Sequence, residues 1–233
     1  MRSVLVTRPE PGAAATAARL AAMGFKPVVL PLTKIVATPM APAGPCDAVV
    51  ATSANALRHA PAACLAALRD KRLYAVGAAT AEAARQAGFA DIAVAAGTAA
   101  DLAGLIGNAL APGARLLHLA GRERTAGFAE DLARRGFAVE IAETYRAEER
   151  CYDAATVRAR LGDAPVWGAP VFSERGGQLL DALAKRDGLG HLFEETRFFC
   201  ISAKVAAALS GRNTFVAAGP DEDAVLALLS SQG

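Results

Sequence analysis

Short polar and glycine residues recur at one place along this chain, directly after a run of apolar, strand-forming residues. Thr7-Arg8 follow Val4-Leu5-Val6, and Thr52-Ser53 follow Ala48 to Ala51. Gly77 follows Leu73 to Val76, and Gly121-Arg122 follow Leu116 to Ala120. Ser173 closes Val166 to Phe172, and Ser202 closes Phe198 to Ile201. Such ends offer backbone N–H groups, hydroxyls and helix N-termini, a wall that suits an anionic ligand. Each of these residues is also an ordinary cap or turn residue. Taken together they say more than any one of them. Tyr145, in Glu143-Thr144-Tyr145-Arg146, adds a phenol where a repeated unit ends. It could face a ligand, or it could be a packed linker aromatic with a satisfied hydroxyl.

The familiar catalytic signatures are missing. No Gly-x-Gly-x-x-Gly follows a strand, which argues against a dinucleotide cofactor. There is no Gly-Lys-Ser/Thr phosphate loop and no Gly-x-Ser-x-Gly elbow. Ser173-Glu174-Arg175 has no evident histidine partner. His59, His118 and His191 are scattered, and Cys46, Cys64, Cys151 and Cys200 show no Cys-x-x-Cys spacing, so no metal site is expected. Asp221-Glu222-Asp223 could tempt a metal reading, but at a helix start it serves the dipole. The cysteines read as reduced thiols of a cytosolic protein.

The formal net charge is only +2, which argues against a general nucleic-acid binder. Charges and prolines interrupt every apolar run, so no membrane span is expected. Met1-Arg2-Ser3 leads straight into a strand, without the apolar stretch of a signal peptide. The expectation is a soluble, cytoplasmic protein.

The elements that must position these residues form a repeat. Val4 to Val6, a helix from Ala13 to Met23 ended by Gly24, and a strand from Lys26 to Leu30 make one short strand–helix–strand unit. It returns as Leu116 to Gly121, Phe128 to Arg135, Gly136-Phe137 and Val139 to Ala142. Such units seed a parallel sheet. A longer unit runs through strands at Ala48–Ala51, Leu73–Val76 and Ile92–Ala95, with helices at Ala56–Leu68, Ala81–Gln86 opened by Thr80, and Asp101–Leu110 capped by Thr98. It has an echo in strands at Val166–Phe172, Phe198–Ile201 and Phe215–Ala218, with helices at Gln178–Lys185, Lys204–Leu209 and Asp221–Leu229. Val94-Ala95-Ala96-Gly97 matches Val216-Ala217-Ala218-Gly219.

Only Ala111-Pro112-Gly113-Ala114 separates the first long unit from the second short one, a normal loop within a domain. The other two junctions, Thr33 to Cys46 and Thr144 to Asp163, are longer. The pairing is therefore crossed. An inserted α/β domain spans 39–143, and a discontinuous one joins 1–35 to 148–233. Interdomain connections lie at 32–38 and 142–148.

The succession Val6-Thr7-Arg8-Pro9, Thr52-Ser53-Ala54-Asn55-Ala56, Val76-Gly77 with Thr80-Ala81, Gly121 through Gly136 to Tyr145-Arg146, Phe172-Ser173 and Ile201-Ser202 resembles the uroporphyrinogen-III synthase family. The likeness covers nearly the whole chain in order and spacing. It implies a bilobed protein of two similar parallel-sheet α/β domains joined by a two-stranded connection, with no metal and no organic cofactor. It implies a hydro-lyase that closes the linear tetrapyrrole hydroxymethylbilane to uroporphyrinogen III, inverting ring D and releasing water. Nitrogen electrons expel the hydroxymethyl oxygen to give an azafulvene, and a spiro intermediate opens and recloses with the ring turned. The enzyme's task is to hold the productive fold and to stabilise transient charge.

By the same resemblance Tyr145 is the catalytic residue, assisting hydroxide departure as a donor. Thr7, Arg8, Thr52, Ser53, Asn55, Gly77, Thr80, Gly121, Arg122, Ser173, Ser202 and Lys204 bind substrate. Two departures stand out. Ser202-Ala203-Lys204-Val205-Ala206 replaces a Gly-x-Thr-Thr-Ala pattern, and Thr125 replaces a basic residue four positions after Gly121. The expected partners are the bilane and, transiently, the enzyme that supplies it, with nothing demanding more than a monomer. The alternative reading is a non-catalytic two-lobed α/β ligand-binding or interaction protein.

Overall fold

Val4, Leu5 and Val6 have no exposed surface and form β1 (Ser3–Val6). A strand buried on both faces belongs inside a parallel sheet covered by helices on either side. The computed structural model describes every residue except Pro42, Ala43, Thr125, Ala126, Ser210 and Gly233. From β1 the chain runs through α1 (Gly12–Ala22) to β2 (Lys26–Val29), then β3 (Thr33–Ala37) and β4 (Ala48–Ala51). Next come α2 (Ala54–Arg58), α3 (Ala62–Ala66), β5 (Arg72–Ala75), α4 (Ala78–Gln86), β6 (Ile92–Val94) and α5 (Ala99–Ala109). The second half holds β7 (Arg115–Gly121), α6 (Phe128–Arg134), β8 (Ala138–Glu149), α7 (Ala154–Leu161), β9 (Gly168–Val171) and α8 (Glu174–Ala184). It ends with β10 (Arg197–Cys200), α9 (Ala203–Ala207), β11 (Asn213–Val216) and α10 (Glu222–Ser231).

The strands form two sheets. One has the order β11-β10-β9-β1-β2, the other β3-β8-β7-β4-β5-β6. Neighbours from β11 to β2 and from β8 to β6 pair in parallel. The first short unit thus shares a sheet with the second long one, and the reverse holds in the other sheet. Counted from the outer strand of each long unit, the two sheets have the same strand order. The chain divides into two compact units, Met1–Lys34 with Glu148–Gly233, and Ile35–Ala147. It passes between them inside β3 and inside β8, strands that neighbour each other in the second sheet.

Period-two alternation sends each strand's side chains to opposite helix layers. In the first unit Leu5, Ala169, Val171, Phe198 and Cys200 face one core cluster, while Val4, Val6 and Phe199 face the other. In the second unit Val49, Ala51, Leu73, Leu117 and Leu119 face one cluster, and Ala48, Val50, Tyr74 and Leu116 face the other. The repeated Gly-Phe pair has a physical cause. Gly24 and Gly136 sit at φ of 84° and 91°, a left-handed conformation that glycine adopts without penalty. The following Phe25 and Phe137 N–H groups reach back to the Leu20 and Leu132 carbonyls, at 3.0 and 3.1 Å, closing a Schellman turn. The phenylalanine then packs into the core that its helix covers.

The structure departs from the sequence expectations in four places. Ala56–Leu68 is not one helix, because Pro61 lacks an N–H and separates α2 from α3. Thr80 does not open its helix, since Gly77 is the N-cap of α4 and Thr80 lies buried within it. The junction from Thr144 to Asp163 is not bare linker, for it carries the end of β8 and all of α7. Finally, β8 runs 12 residues without a break, so the strand expected at Val139 to Ala142 and the connection expected at 142–148 are one strand.

Candidate functional site

Parallel strands end together, so the residues that follow them line up across the sheet. In the second unit Ala51 pairs with both Ala75 and Leu119. Continuing that register two residues brings Ser53, Gly77 and Gly121 into one row. Gly121 in turn pairs with Tyr145 through a shift in register after Ala120. That shift is a β-bulge, which re-aims the side chain that follows it. Without it Gly121 would oppose Thr144. The Arg122 N–H donates to the Tyr145 carbonyl at 2.8 Å and locks the register beyond the bulge.

Gly121 has to be glycine here. A Cβ at this position would lie 2.5 Å from Tyr145 Cζ and 2.8 Å from its hydroxyl oxygen. The phenol therefore rests directly on the Gly121 backbone, half-buried, with the His59 ring 6.1 Å away, centroid to centroid. Beside it Glu143 accepts from Arg122 at 3.2 Å and from Arg124 at 3.0 Å. These bonds, Arg124's first, hold the Glu143 carboxyl below its usual range. Arg122 thus stands at the strand end as a half-tethered cation. Thr125 lies outside the described residues.

Thr52 and Ser53 differ in what their hydroxyls do. Ser53 caps α2, accepting from the Asn55 N–H at 3.2 Å, and Asn55 sits half-buried in that helix's first turn. Thr52 Oγ1 lies 3.1 Å from Nε2 of His118. His118 projects from the middle of β7, is 3% exposed, and meets the Phe128 ring edge-on at 5.1 Å. Burial, helped by the nearby Arg124 charge, pushes its pKa down from 6.5 to about 4. Sequence reasoning passed over this residue, seeing only a scattered histidine. The signal that could have found it is a polar residue inside Leu116-Leu117-His118-Leu119, a run otherwise written for burial.

The His118 shift has a consequence for stability. An unfolded histidine takes up a proton near pH 6.5, whereas the folded one does so only near pH 4. The unfolded state therefore binds more protons between those values, and stability must fall as pH drops through that window. The full shift is worth about 3 kcal/mol. His118→Gln is expected to flatten this part of the pH–stability curve. Denaturant unfolding of both proteins at pH 7 and pH 4 checks it, and equal losses in the two would contradict it.

In the first unit the corresponding row comes from β10, β9 and β1. Cys200 pairs with Val171, so Ser202 and Ser173 end up side by side. Both cap helices: Ser173 accepts from the Gly176 N–H at 3.1 Å and Ser202 from the Val205 N–H at 3.4 Å. Thr7 is buried at the end of β1. Arg8 is fixed, with its guanidinium 4.5 Å above the Phe172 ring and bonded to Glu222 at 2.9 Å and Thr16 at 3.1 Å. Lys204 is largely exposed and paired with Glu174 at 2.8 Å.

Thr52, Ser53, Gly77, Gly121, Arg122 and Tyr145 thus gather at one end of the second sheet, and Thr7, Arg8, Ser173 and Ser202 at one end of the first. Thr80 is buried in the first turn of α4. Among the described residues, no group of three or more His, Cys, Asp or Glu side chains is arranged to hold a metal ion. No helix there is long and apolar enough to cross a membrane. A cavity of about 540 Å³ lies at the opposite, amino end of the second unit's strands, lined by Cys46, Cys64, Lys71 and Arg115 among others.

This is a mixed α/β protein with two largely parallel sheets and a polar site at strand carboxyl ends. A family model for uroporphyrinogen-III synthase HemD matches residues 14–229. The chain belongs to that family, hydro-lyases of tetrapyrrole and haem biosynthesis. The fold is similar to that of uroporphyrinogen-III synthetase from Helicobacter pylori 26695, at 19% identity and a TM-score of 0.69 over 100% of both chains. It is also similar to a mutant uroporphyrinogen III synthase from the extremely thermophilic bacterium Thermus thermophilus, at 18% identity and a TM-score of 0.54, covering 100% of this chain and 97% of the other. No curated protein sequence matches the chain. None of these comparisons supports the non-catalytic alternative.

Proposed function

We propose that this protein closes hydroxymethylbilane to uroporphyrinogen III at the polar ends of its strands, with Tyr145 as the assisting donor. The observation that carries the proposal is that Gly121 pairs with Tyr145 while Ser53 and Gly77 follow the ends of the two strands next in order, β4 and β5, which pair in the same register. Such an arrangement presents backbone N–H groups beside a phenol. It suits a substrate whose pyrroles supply their own electron push, leaving the protein to orient the chain and to steady departing hydroxide. A phenol is a donor at neutral pH, and Tyr145 rests against a backbone that leaves no room for it to retreat.

The acetate and propionate arms would meet Thr7, Arg8, Thr52, Asn55, Arg122, Ser173, Ser202 and Lys204. Arg8 and Lys204 already hold acidic partners, so a substrate carboxylate would share or displace them. Ser53, Ser173 and Ser202 would contribute through the helix N-termini they cap more than through free hydroxyls. Thr80 would support α4 from within.

The finer reading is a cytoplasmic monomer that takes its substrate from the enzyme that makes it. Four free cysteines, none in a disulfide, fit a reducing compartment. A coupled reaction tests the activity. Hydroxymethylbilane is generated in place with and without the protein, and the oxidised porphyrin isomers are separated. A shift from isomer I to isomer III is expected, and unchanged isomer I with folded protein would sink the proposal.

A further inference from the structure

Thr52 sits one residue before the capping Ser53, half-buried, at the end of β4. On the same sheet face, two residues earlier in the register, β7 carries His118. Its surroundings there are apolar. Val50 and Ile141 flank it in register on the neighbouring strands, and Phe128 covers its edge. Its Nε2 meets Thr52 Oγ1 at 3.1 Å. Its other ring nitrogen, Nδ1, is buried with no hydrogen-bond partner.

That orphan decides the direction of the bond. A neutral imidazole carries one N–H and one bare lone pair. Orphaned buried N–H groups are rarer than under-satisfied acceptors, so the proton belongs on Nε2 and the lone pair on Nδ1. Burial keeps the ring neutral. Nε2–H then donates to Oγ1 and occupies a lone pair of the threonine. The Thr52 O–H is left to point elsewhere, and the side of Thr52 away from His118 is the strand end.

We propose that His118 is a positioning residue that donates from Nε2–H to Thr52 Oγ1 and so turns the Thr52 O–H outward as a donor for a carboxylate arm of the bound tetrapyrrole. This rests on the functional reading above and extends it to a residue inside the sheet that never touches substrate. The arrangement gives an uncharged donor of fixed direction. Such a donor loses less entropy on binding than a free hydroxyl would.

Two measurements on the full chain test it. The first is nitrogen NMR of protein labelled at histidine, with the His118 signals assigned by their loss in His118→Gln. A protonated Nε2 and a bare Nδ1 are expected at neutral pH. A proton on Nδ1 would overturn the proposal whatever the enzyme does. The second is kinetic. Thr52→Val should raise KM about tenfold with kcat little changed, the signature of a lost ground-state contact to a charged group. His118→Leu should raise KM by a similar factor, and the double variant should show no further rise. His118→Gln, which keeps an amide donor, should recover most of the loss. If His118→Leu does not fold, the comparison of His118→Gln with Thr52→Val, together with the NMR, still decides. A lowered unfolding midpoint with wild-type KM in His118→Leu, or a KM in His118→Gln raised as far as in Thr52→Val, would reduce His118 to packing and overturn the proposal. Wild-type protein that forms no isomer III would sink the functional reading and the carboxylate contact with it, leaving the tautomer to judge the hydrogen bond alone.

Discussion

Gly121→Ala is expected to cost the protein about 1–3 kcal/mol of stability and at least about tenfold in turnover. The backbone at Gly121 is not in the left-handed region, so alanine brings no conformational strain of its own. All of the effect comes from one methyl group driven into the Tyr145 ring, 2.5 Å from Cζ. The ring has no easy escape, since it packs against a core cluster that includes Ala51, Leu57 and Leu119. Overpacking of this kind forces either the ring or the strand to shift, and either shift moves the phenol. The coupling can be separated from general damage. In a Tyr145→Ala background the new methyl has room, so Gly121→Ala should cost much less stability there. Thermal unfolding of the single and double variants measures this, and an equal cost in both backgrounds would show that the contact does not govern the site.

Tyr145→Phe should lower kcat about 10- to 100-fold while leaving the fold and its stability nearly unchanged. The size is that of a hydrogen bond to a charged or charging group, worth about 1.5–3 kcal/mol. The substitution removes one oxygen, and the ring keeps its seat on Gly121. If the phenol assists departing hydroxide, its loss acts in the transition state and kcat falls with kcat/KM. It would not abolish turnover, because the pyrrole nitrogen still drives expulsion of the oxygen. Steady-state kinetics of the purified variant provides the check, and unchanged turnover would remove Tyr145 from the mechanism.

Much of the architecture could be read before the structure, for a physical reason. Strands buried on both faces must be written as short apolar runs, and these end at residues that cap the following helix. The Gly-Phe pair at 24–25 and at 136–137 marks the same Schellman turn twice, so the repeat is visible at low similarity. What was hardest to read lies where burial is partial. The far half of β8 reads Glu143-Thr144-Tyr145-Arg146-Ala147-Glu148-Glu149, mostly half-exposed, with no apolar run to announce a strand, and only the expected two-stranded connection pointed to it. In α7 only Val157 and Leu161 are buried, although Asp153 accepts from the Thr156 N–H as a cap and could have signalled a helix start. A single Pro61 divides a segment whose alanine content reads as continuous helix.

The site was legible as a set of strand ends and not as an arrangement. Gly121 meets Tyr145 only because a bulge shifts the β7–β8 register by one residue, and no spacing in the sequence encodes that shift. His118 meets Thr52 only once β4 and β7 are neighbours in a known register. Residues 66 positions apart have no pattern that joins them until the sheet is built. Arg8 and Lys204 were visible as cations, while their acidic partners, one of them on α10, were not. The capping roles of Ser53, Ser173 and Ser202 were written in their positions before helices.

The central claim is that the carboxyl ends of the strands hold the tetrapyrrole. Backbone amide spectra of the full chain, recorded anaerobically as the product uroporphyrinogen III is added, test it most directly. Saturable shifts are predicted at Thr52, Ser53, Gly77, Gly121, Arg122 and Tyr145 in one unit and at Thr7, Arg8, Ser173 and Ser202 in the other. Shifts confined to the cavity lined by Cys46, Cys64, Lys71 and Arg115, with the strand ends unmoved, would contradict it.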